Sequence, residues 1–270
     1  MLIGGREFDT ENETYIMGIL NMTPDSFSDG GSYEDADAGL RRAAQMMEEG
    51  ATIIDVGGLS TRPGYTEVSI EEEIQRVVPV IKKIRELPGA VISVDTYRPA
   101  VAEAAMEAGA DLINDISCVK DERLALVAAK TGAAYCLMHN RNRDEQPYKD
   151  LIEDMISDLA GGLKKLETAG VMKEKIMIDP GIGFAKDHEE NLRAMAALDR
   201  FADMGYPLLL GISRKSIIGN TLKTPVDQRL EGTIALNIYG MTKKVSFIRV
   251  HDVEANARAV KMIREVMRHG

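Results

Sequence analysis

The chain has little cysteine: Cys118 and Cys136 are the only two in 270 residues, and no Cys-x-x-Cys spacing occurs. A disulfide framework and a cysteine-rich metal site are therefore both disfavoured. No apolar run approaches the roughly 18 residues that a membrane-crossing helix needs. The start, MLIGGREFDTENE, lacks the basic and apolar regions of a secretory leader, so the cytoplasm is the expected compartment. Positive charge is also short, with 33 Lys and Arg against 43 Asp and Glu and a net charge of −10. That balance disfavours bulk attraction to nucleic acid or to an anionic membrane. An anionic substrate would have to be met by a local group of cations. No linker, low-complexity tract or break in composition divides the sequence. Length alone would permit two domains, yet α/β barrels commonly run to about 250 residues as one. One domain spanning 1–270 is expected.

What the sequence does have is alternation. Apolar runs at 15–20, 52–56, 91–94, 112–113, 134–138, 176–178, 207–210 and 245–250 are separated by helical patterns. The runs are nearly continuous in hydrophobicity, as strands covered on both faces are. Eight of them suit a (β/α)₈ barrel, with residues 1–14 left as an extension that forms a short β-hairpin or a plug at the barrel bottom. Helix punctuation supports the scheme. Ser69 to Glu72 and Asp187 to Glu190 fit capping boxes. Pro99 opens a helix and Gly109 follows its end, and Thr224-Pro225 is expected to open another. Residues 150–166 and 252–267 show plain helical periodicity.

Polar residues gather where the apolar runs finish: Asn21, Asp55, Asp95, Asn114 with Asp115, His139 with Asn140, Asp179, Ser213 to Ser216, and Arg249 with His251. In such a barrel these positions meet at the C-terminal face, where active sites are built. Read singly, each is ambiguous. Asp179 suits a turn cap before Pro180-Gly181, His251 a hydrogen-bonded core histidine, and Phe184 an ordinary core residue. As a set they read as a site.

Two long segments are the most specific: MGILNMTPDSFSDG at 17–30 and DVGGLSTRPG at 55–64. With SVDTY at 93–97, INDI at 113–116, LMHNR at 137–141, IDPGIGF at 178–184, GISRKS at 211–216 and RVHD at 249–252, they form a collinear series over nearly the whole chain. This series resembles the dihydropteroate synthase family. The resemblance implies a cytoplasmic, homodimeric, magnesium-using enzyme of folate synthesis that is a sulfonamide target. It would join 6-hydroxymethyl-7,8-dihydropterin pyrophosphate to p-aminobenzoate.

The resemblance also implies roles. Asp95, Lys215, Arg249 and His251 would be catalytic. Asp95, Asn114, Asp179, Lys215, Met138, Gly211 and Arg249 would bind the pterin. Asn21, Thr61, Arg62, Arg249 and His251 would take the pyrophosphate, with Mg²⁺ held partly by Asn21. Ser216, Lys215, Phe184, Phe27 and Pro63 would receive p-aminobenzoate. The assignments make chemical sense, because a carboxylate accepts two hydrogen bonds at once from the paired N–H groups of a pterin edge. An aspartate beside the ring also stabilises a cation left by departing pyrophosphate. The Gly-, Ser- and Asp-rich segments at 22–32 and 58–68 are expected to act as lids. Leu59 stands where many members carry glutamate, which argues against an acidic role there. The remaining readings are a pterin-dependent methyltransferase of the same superfamily and a pterin binder without turnover. The segments STRPG and SRKS favour the synthase. A Schiff-base aldolase through Lys215 fits less well, because that lysine lies beyond its strand.

Overall fold

In the computed structural model, which describes residues 1–22, 33–59 and 68–269, each expected apolar run is a strand. The short hairpin of β1 (Leu2–Ile3) and β2 (Arg6–Glu7) comes first. The strands β3 (Tyr15–Asn21), β4 (Ile53–Gly57), β5 (Ile92–Asp95), β6 (Leu112–Asp115), β7 (Ala134–Met138), β8 (Ile176–Asp179), β9 (Leu208–Leu210) and β10 (Val245–Val250) follow. They run parallel and close a barrel in chain order, with β10 pairing both β9 and β3. The chain is a (β/α)₈ barrel carrying a small N-terminal hairpin. The connecting helices α1 (Tyr33–Glu48), α2 (Ile70–Ile84), α3 (Pro99–Glu107), α4 (Arg123–Thr131) and α5 (Leu151–Ala169) each touch the next. Helices α6 (His188–Ala196), α7 (Leu198–Ala202), α8 (Ser216–Leu222), α9 (Leu230–Thr242) and α10 (Val253–Met267) complete the set. Among the described residues, no helix is long and apolar enough to cross a membrane.

Period-two alternation divides the strand residues between two cores. Ile54, Val56, Val94, Ile113, Leu137, Ile178, Leu210 and Ile248 pack outward with helix residues such as Val77, Ile81, Leu159 and Val260. Met17, Ile53, Val91, Leu112, Ala134, Cys136, Met177, Leu209 and Phe247 form a separate inner cluster together with Ile3 and Phe8 of the extension. The hairpin and the bottom plug are thus one feature. Phe8 packs edge-on to Tyr15 at 4.8 Å and lies 5.6 Å from Phe247. Burying it and Ile3 stabilises by about 1.5–3 kcal/mol each. Phase does the rest: two or four residues beyond these inner apolar positions come Asn21, Asp55, Asp95, Asn114, Met138, Asp179, Gly211 and Arg249. The candidate site therefore sits inside the barrel above its apolar floor.

The helix starts match the expected punctuation in part. Asp187 and Glu190 form a complete capping box, and Pro99 is the first residue of α3. At α2 only half of the expected box exists. Ser69 accepts from the Glu72 amide, while the Glu72 carboxylate turns to Arg76; a guanidinium attracts a carboxylate more strongly than a backbone amide does. Thr224-Pro225 opens only a 3₁₀ turn, Val226–Gln228, and α9 begins after Arg229.

Candidate active site

A buried arginine organises the upper barrel. Arg249 of β10 places Nε 2.5 Å from Asp55 Oδ2 on β4 and Nη2 2.6 Å from Asp95 Oδ2 on β5. Asn114 of β6 donates its amide to the same Asp55 oxygen at 3.1 Å. The register explains the meeting, since Asn21, Gly57, Asp95 and Asn114 are successive cross-strand neighbours. Gly57 keeps the row open; a Cβ there would sit 3.5 Å from Asn21 Oδ1 and 3.6 Å from Asp95 Cβ. Burial pushes the Asp95 carboxyl up to about 7. Arg249 opposes that shift, while Asp55 and Glu73 reinforce it. Burial works against the charge on Arg249, but Asp55 and Asp95 outweigh it and hold the guanidinium charged above its ordinary range. Two carboxylates around one guanidinium leave the cluster net negative whenever both are ionised.

A second group lies where β8 and β9 end. Asp179 is 4% exposed, and its Oδ1 accepts from the Gly181 amide at 2.7 Å. The turn-cap reading of Asp179 is therefore correct for one oxygen, while Oδ2 faces Gly211, where an added Cβ would lie 3.5 Å away. Gly181 is required here: its φ is +65°, and a Cβ would fall 2.0 Å from the His139 carbonyl oxygen. Lys215, the N-cap of α8, sends its ammonium to the Ile182 carbonyl at 2.5 Å. It lies 4.6 Å over the Phe184 ring and within 3.8 Å of the Cβ position of Gly211. Burial raises Asp179 and lowers Lys215 to about 8, each partly offset by the other's charge. Buried Met138 borders the Gly181 turn.

His251 stands one strand residue pair above Arg249, with Nδ1 3.0 Å from the Ser213 hydroxyl, which also accepts from the His251 amide. Ser216 is exposed at the first position of α8. Asp95, Asn114, Asp179, Lys215, Met138, Gly211, Arg249, His251 and Asn21 thus gather at one mouth, with Phe184 at its edge. Ser60, Thr61, Arg62, Pro63, Asp25, Ser26, Phe27 and Asp29, and with them the expected lids, lie outside the described residues. Leu59 is described and is buried at 8% exposure, which suits an apolar side chain.

Not every polar strand end faces this mouth. Asp115, next to Asn114, turns to the outer layer and accepts from Ser117, the Val119 amide and the Tyr135 hydroxyl. His139 binds Asp158 of α5, and Asn140 donates to the Ile116 carbonyl. The sequence reading placed all three on the rim; strand phase separates Asp115 and His139 from it, while Asn140 shares the phase of Met138 and is turned aside by its bond to the Ile116 carbonyl. It also left three groups without a role. Asp55 gave a signal, since an acid inside the fully buried strand IIDVG needs a cation. Glu73, fully buried on α2, accepts from Thr96 and Arg98 behind Asp95, and its burial raises its carboxyl. Lys186, which burial lowers to about 7, gave no signal that distinguishes it from a surface lysine.

Comparison with known proteins bears on this geometry. The family described as "Pterin binding enzyme" matches residues 17–251. A dihydropteroate synthase of Clostridium beijerinckii is 53% identical over 270 residues, covering 99% of this chain and 100% of its own; one from Bacillus subtilis is 48% identical over 96% and 91%. Among solved structures, a Clostridium difficile dihydropteroate synthase crystallised with pteroic acid superposes with a TM-score of 0.92 at 44% identity, covering 97% of this chain and 100% of that one.

Proposed function

The chain belongs to the pterin-binding enzymes, as a dihydropteroate synthase, and we propose that the mouth of its barrel joins 6-hydroxymethyl-7,8-dihydropterin pyrophosphate to p-aminobenzoate. The observation that carries this reading is the inward row itself: three carboxylates, an amide and a doubly paired arginine, with a lysine from the N-cap of α8, held at fixed spacing in a water-poor interior. Asp179 Oδ2 accepts from the paired N–H groups of the pterin edge. Asn114 meets the neighbouring edge with both a donor and an acceptor. Lys215 donates to the ring's polar periphery and closes the pocket, with Met138 and Gly211 as its walls.

In the reaction, the methylene carbon–oxygen bond breaks and its electron pair leaves with pyrophosphate. The arylamine nitrogen then forms the new bond and loses one proton. Positive charge accumulates on the pterin methylene before attack, and the net-negative Asp55–Arg249–Asp95 cluster stabilises it where charge develops. Arg249 and His251 face the departing pyrophosphate. Phe184 and Ser216 flank the arriving p-aminobenzoate, the ring on the phenyl face and the hydroxyl toward the carboxylate. Mg²⁺ is the proposed cofactor, and Asn21 would hold it. This side chain offers one neutral oxygen beside the open cradle at Gly57. Among the described residues no cluster of three His, Cys, Asp or Glu could hold a metal. That sparse donor set suits a hard cation whose shell is completed by phosphate oxygens and water, and such a cation supplies charge neutralisation to the leaving group.

The test is pyrophosphate release from the pterin pyrophosphate with Mg²⁺, with and without p-aminobenzoate. Release matched mole for mole by dihydropteroate supports the reading. Tight pterin binding without release overturns it in favour of a silent binder, and methyl transfer from a methylated folate would favour the methyltransferase. We further propose a homodimer through the late helices, supported by exposed Tyr239 on α9 and Met262, Val266 and Met267 on α10. Sedimentation as a monomer at micromolar concentration would contradict it.

A further inference from the structure

A second polar chain, half-buried around the fully buried His139, takes no part in the reaction described above. Arg141 places Nη2 2.6 Å and Nε 2.8 Å from Asp158 Oδ2 on α5. His139 Nε2 lies 3.0 Å from the same oxygen. On the other side of the ring, Lys186 Nζ is 3.2 Å from His139 Nδ1 and donates to the Phe184 carbonyl at 2.8 Å. The donors are fixed by elimination: the Asp158 carboxylate has only lone pairs to offer, so the His139 proton sits on Nε2 facing it and Nδ1 of the neutral ring accepts from Lys186. Burial keeps the histidine neutral, with its value lowered to about 4. The chain thus leads from the helix layer to one backbone carbonyl.

That carbonyl belongs to a segment that needs anchoring. Gly181, Gly183 and Ala185 all have positive φ, at 65°, 88° and 50°, and alanine in the left-handed region costs about 1–2 kcal/mol. Lys215 holds the Ile182 carbonyl of the same segment and lies over the Phe184 ring. Two lysines therefore fasten alternate carbonyls on either side of Gly183; both feel the charge of Asp179, but only Lys186 is seated on His139.

We propose that Lys186, seated on His139 and Asp158, is a positioning residue for the arylamine substrate: it holds the Phe184 carbonyl and thereby sets the ring that walls the p-aminobenzoate slot. This rests on the reading of Phe184 given under the proposed function. Lys186 makes its hydrogen bonds to His139 and the Phe184 carbonyl and reaches Asp179 through charge alone, so its loss should fall mainly on the arylamine.

The experiment compares wild type with Lys186→Met, Lys186→Arg, His139→Gln and Phe184→Ala. KM is measured for each substrate, and the Kd of 6-hydroxymethyl-7,8-dihydropterin is measured by calorimetry. Loss of one hydrogen bond to the segment is expected to raise the KM for p-aminobenzoate about tenfold in Lys186→Met. The pterin Kd should change less than that KM in Lys186→Met, whose lost cation also acts on Asp179, and should stay near the wild-type value in His139→Gln; Lys186→Arg should recover part of the KM loss. His139→Gln should move the same KM in the same direction, which keeps the test open if Lys186→Met does not fold. An unchanged p-aminobenzoate KM in both Lys186→Met and His139→Gln overturns the proposal, as does a parallel weakening of pterin binding. If Phe184→Ala leaves that KM unchanged, the reading of the slot has failed instead.

Discussion

Arg249→Met removes one cation from between two acids, and the cost can be worked from the structure. The guanidinium reaches Asp55, which is fully buried, and Asp95, whose side chain is 13% exposed. Methionine replaces most of the stem, so the dominant loss is electrostatic rather than a cavity. Removing one partner of a buried ion pair costs about 3–5 kcal/mol. At about 2–4 °C of Tm per kcal/mol for a chain of this size, that predicts a fall of roughly 6–20 °C. The loss must also depend on pH. Asp95 is already raised to about 7 with Arg249 opposing the rise, so removing Arg249 raises it further. A carboxyl with a raised folded value contributes stability that is complete below its unfolded value, near 3.9, and lost as pH climbs through the folded value. The deficit of the variant should therefore grow from acidic to mildly alkaline pH. Thermal unfolding followed by circular dichroism at pH 5.5 and 8 reads this directly. Adding Asp55→Asn should restore much of the loss at pH 8. A fall of under about 1 kcal/mol, equal at both pH values, would refute the electrostatic account of the cluster.

Three further outcomes follow from the same geometry. Asp179→Asn keeps an acceptor for the Gly181 amide but gives up the charge offered to the pterin, so affinity for 6-hydroxymethyl-7,8-dihydropterin should fall about 10- to 100-fold by calorimetry. Undiminished affinity would remove Asp179 from the pterin edge. Gly181→Ala forces a Cβ against the His139 carbonyl at positive φ and should cost at least about 2 kcal/mol in urea unfolding; a neutral result would contradict the tight turn. Lys215→Met should cost less stability at pH 7 than Arg249→Met, because burial lowers the folded value of Lys215 to about 8, which offsets part of the lost bond to the Ile182 carbonyl. The charged form is penalised below that value, and the penalty is relieved only as pH rises from there toward the ordinary 10.5. Dihydropteroate formation should nevertheless fall about 100-fold or more, and a variant destabilised more than Arg249→Met yet still active would overturn both halves.

Strand positions were legible because parallel strands buried on two faces are written as short, nearly unbroken apolar runs. Their ends were not, since strands β4, β5, β6 and β8 continue into Gly57, Asp95, Asp115 and Asp179. Polarity reads as a loop signal, yet backbone pairing persists when the side chain has a buried partner, inside the barrel for Asp95 and toward the helix layer for Asp115. The candidate site was legible for the same residues, from their place after the apolar runs and their match to a family pattern. Asp115 and His139 were misplaced because proximity to a strand end does not reveal phase, and only pairing with the helix layer or the interior decides it. Asp55 was quoted in a motif but given no task, because its partners Arg249 and Asn114 are 194 and 59 residues away in sequence. Lys186 was invisible for the same reason, since its contacts with His139 are made only by folding.

The adjacent residues Asn114 and Asp115 offer the most direct test, since they differ in little but the direction they face. The measurement is kcat/KM for dihydropteroate formation by Asn114→Ala and Asp115→Asn, normalised to folded protein. The inward account predicts a loss of at least about tenfold for Asn114→Ala, whose side chain lies on the pterin row. For Asp115→Asn it predicts lower stability, from weakening the acceptor of Ser117, Val119 and Tyr135, with the folded fraction near wild-type activity. Equal loss from both, or loss from Asp115→Asn alone, would mean that the reaction does not take place on the barrel's interior row.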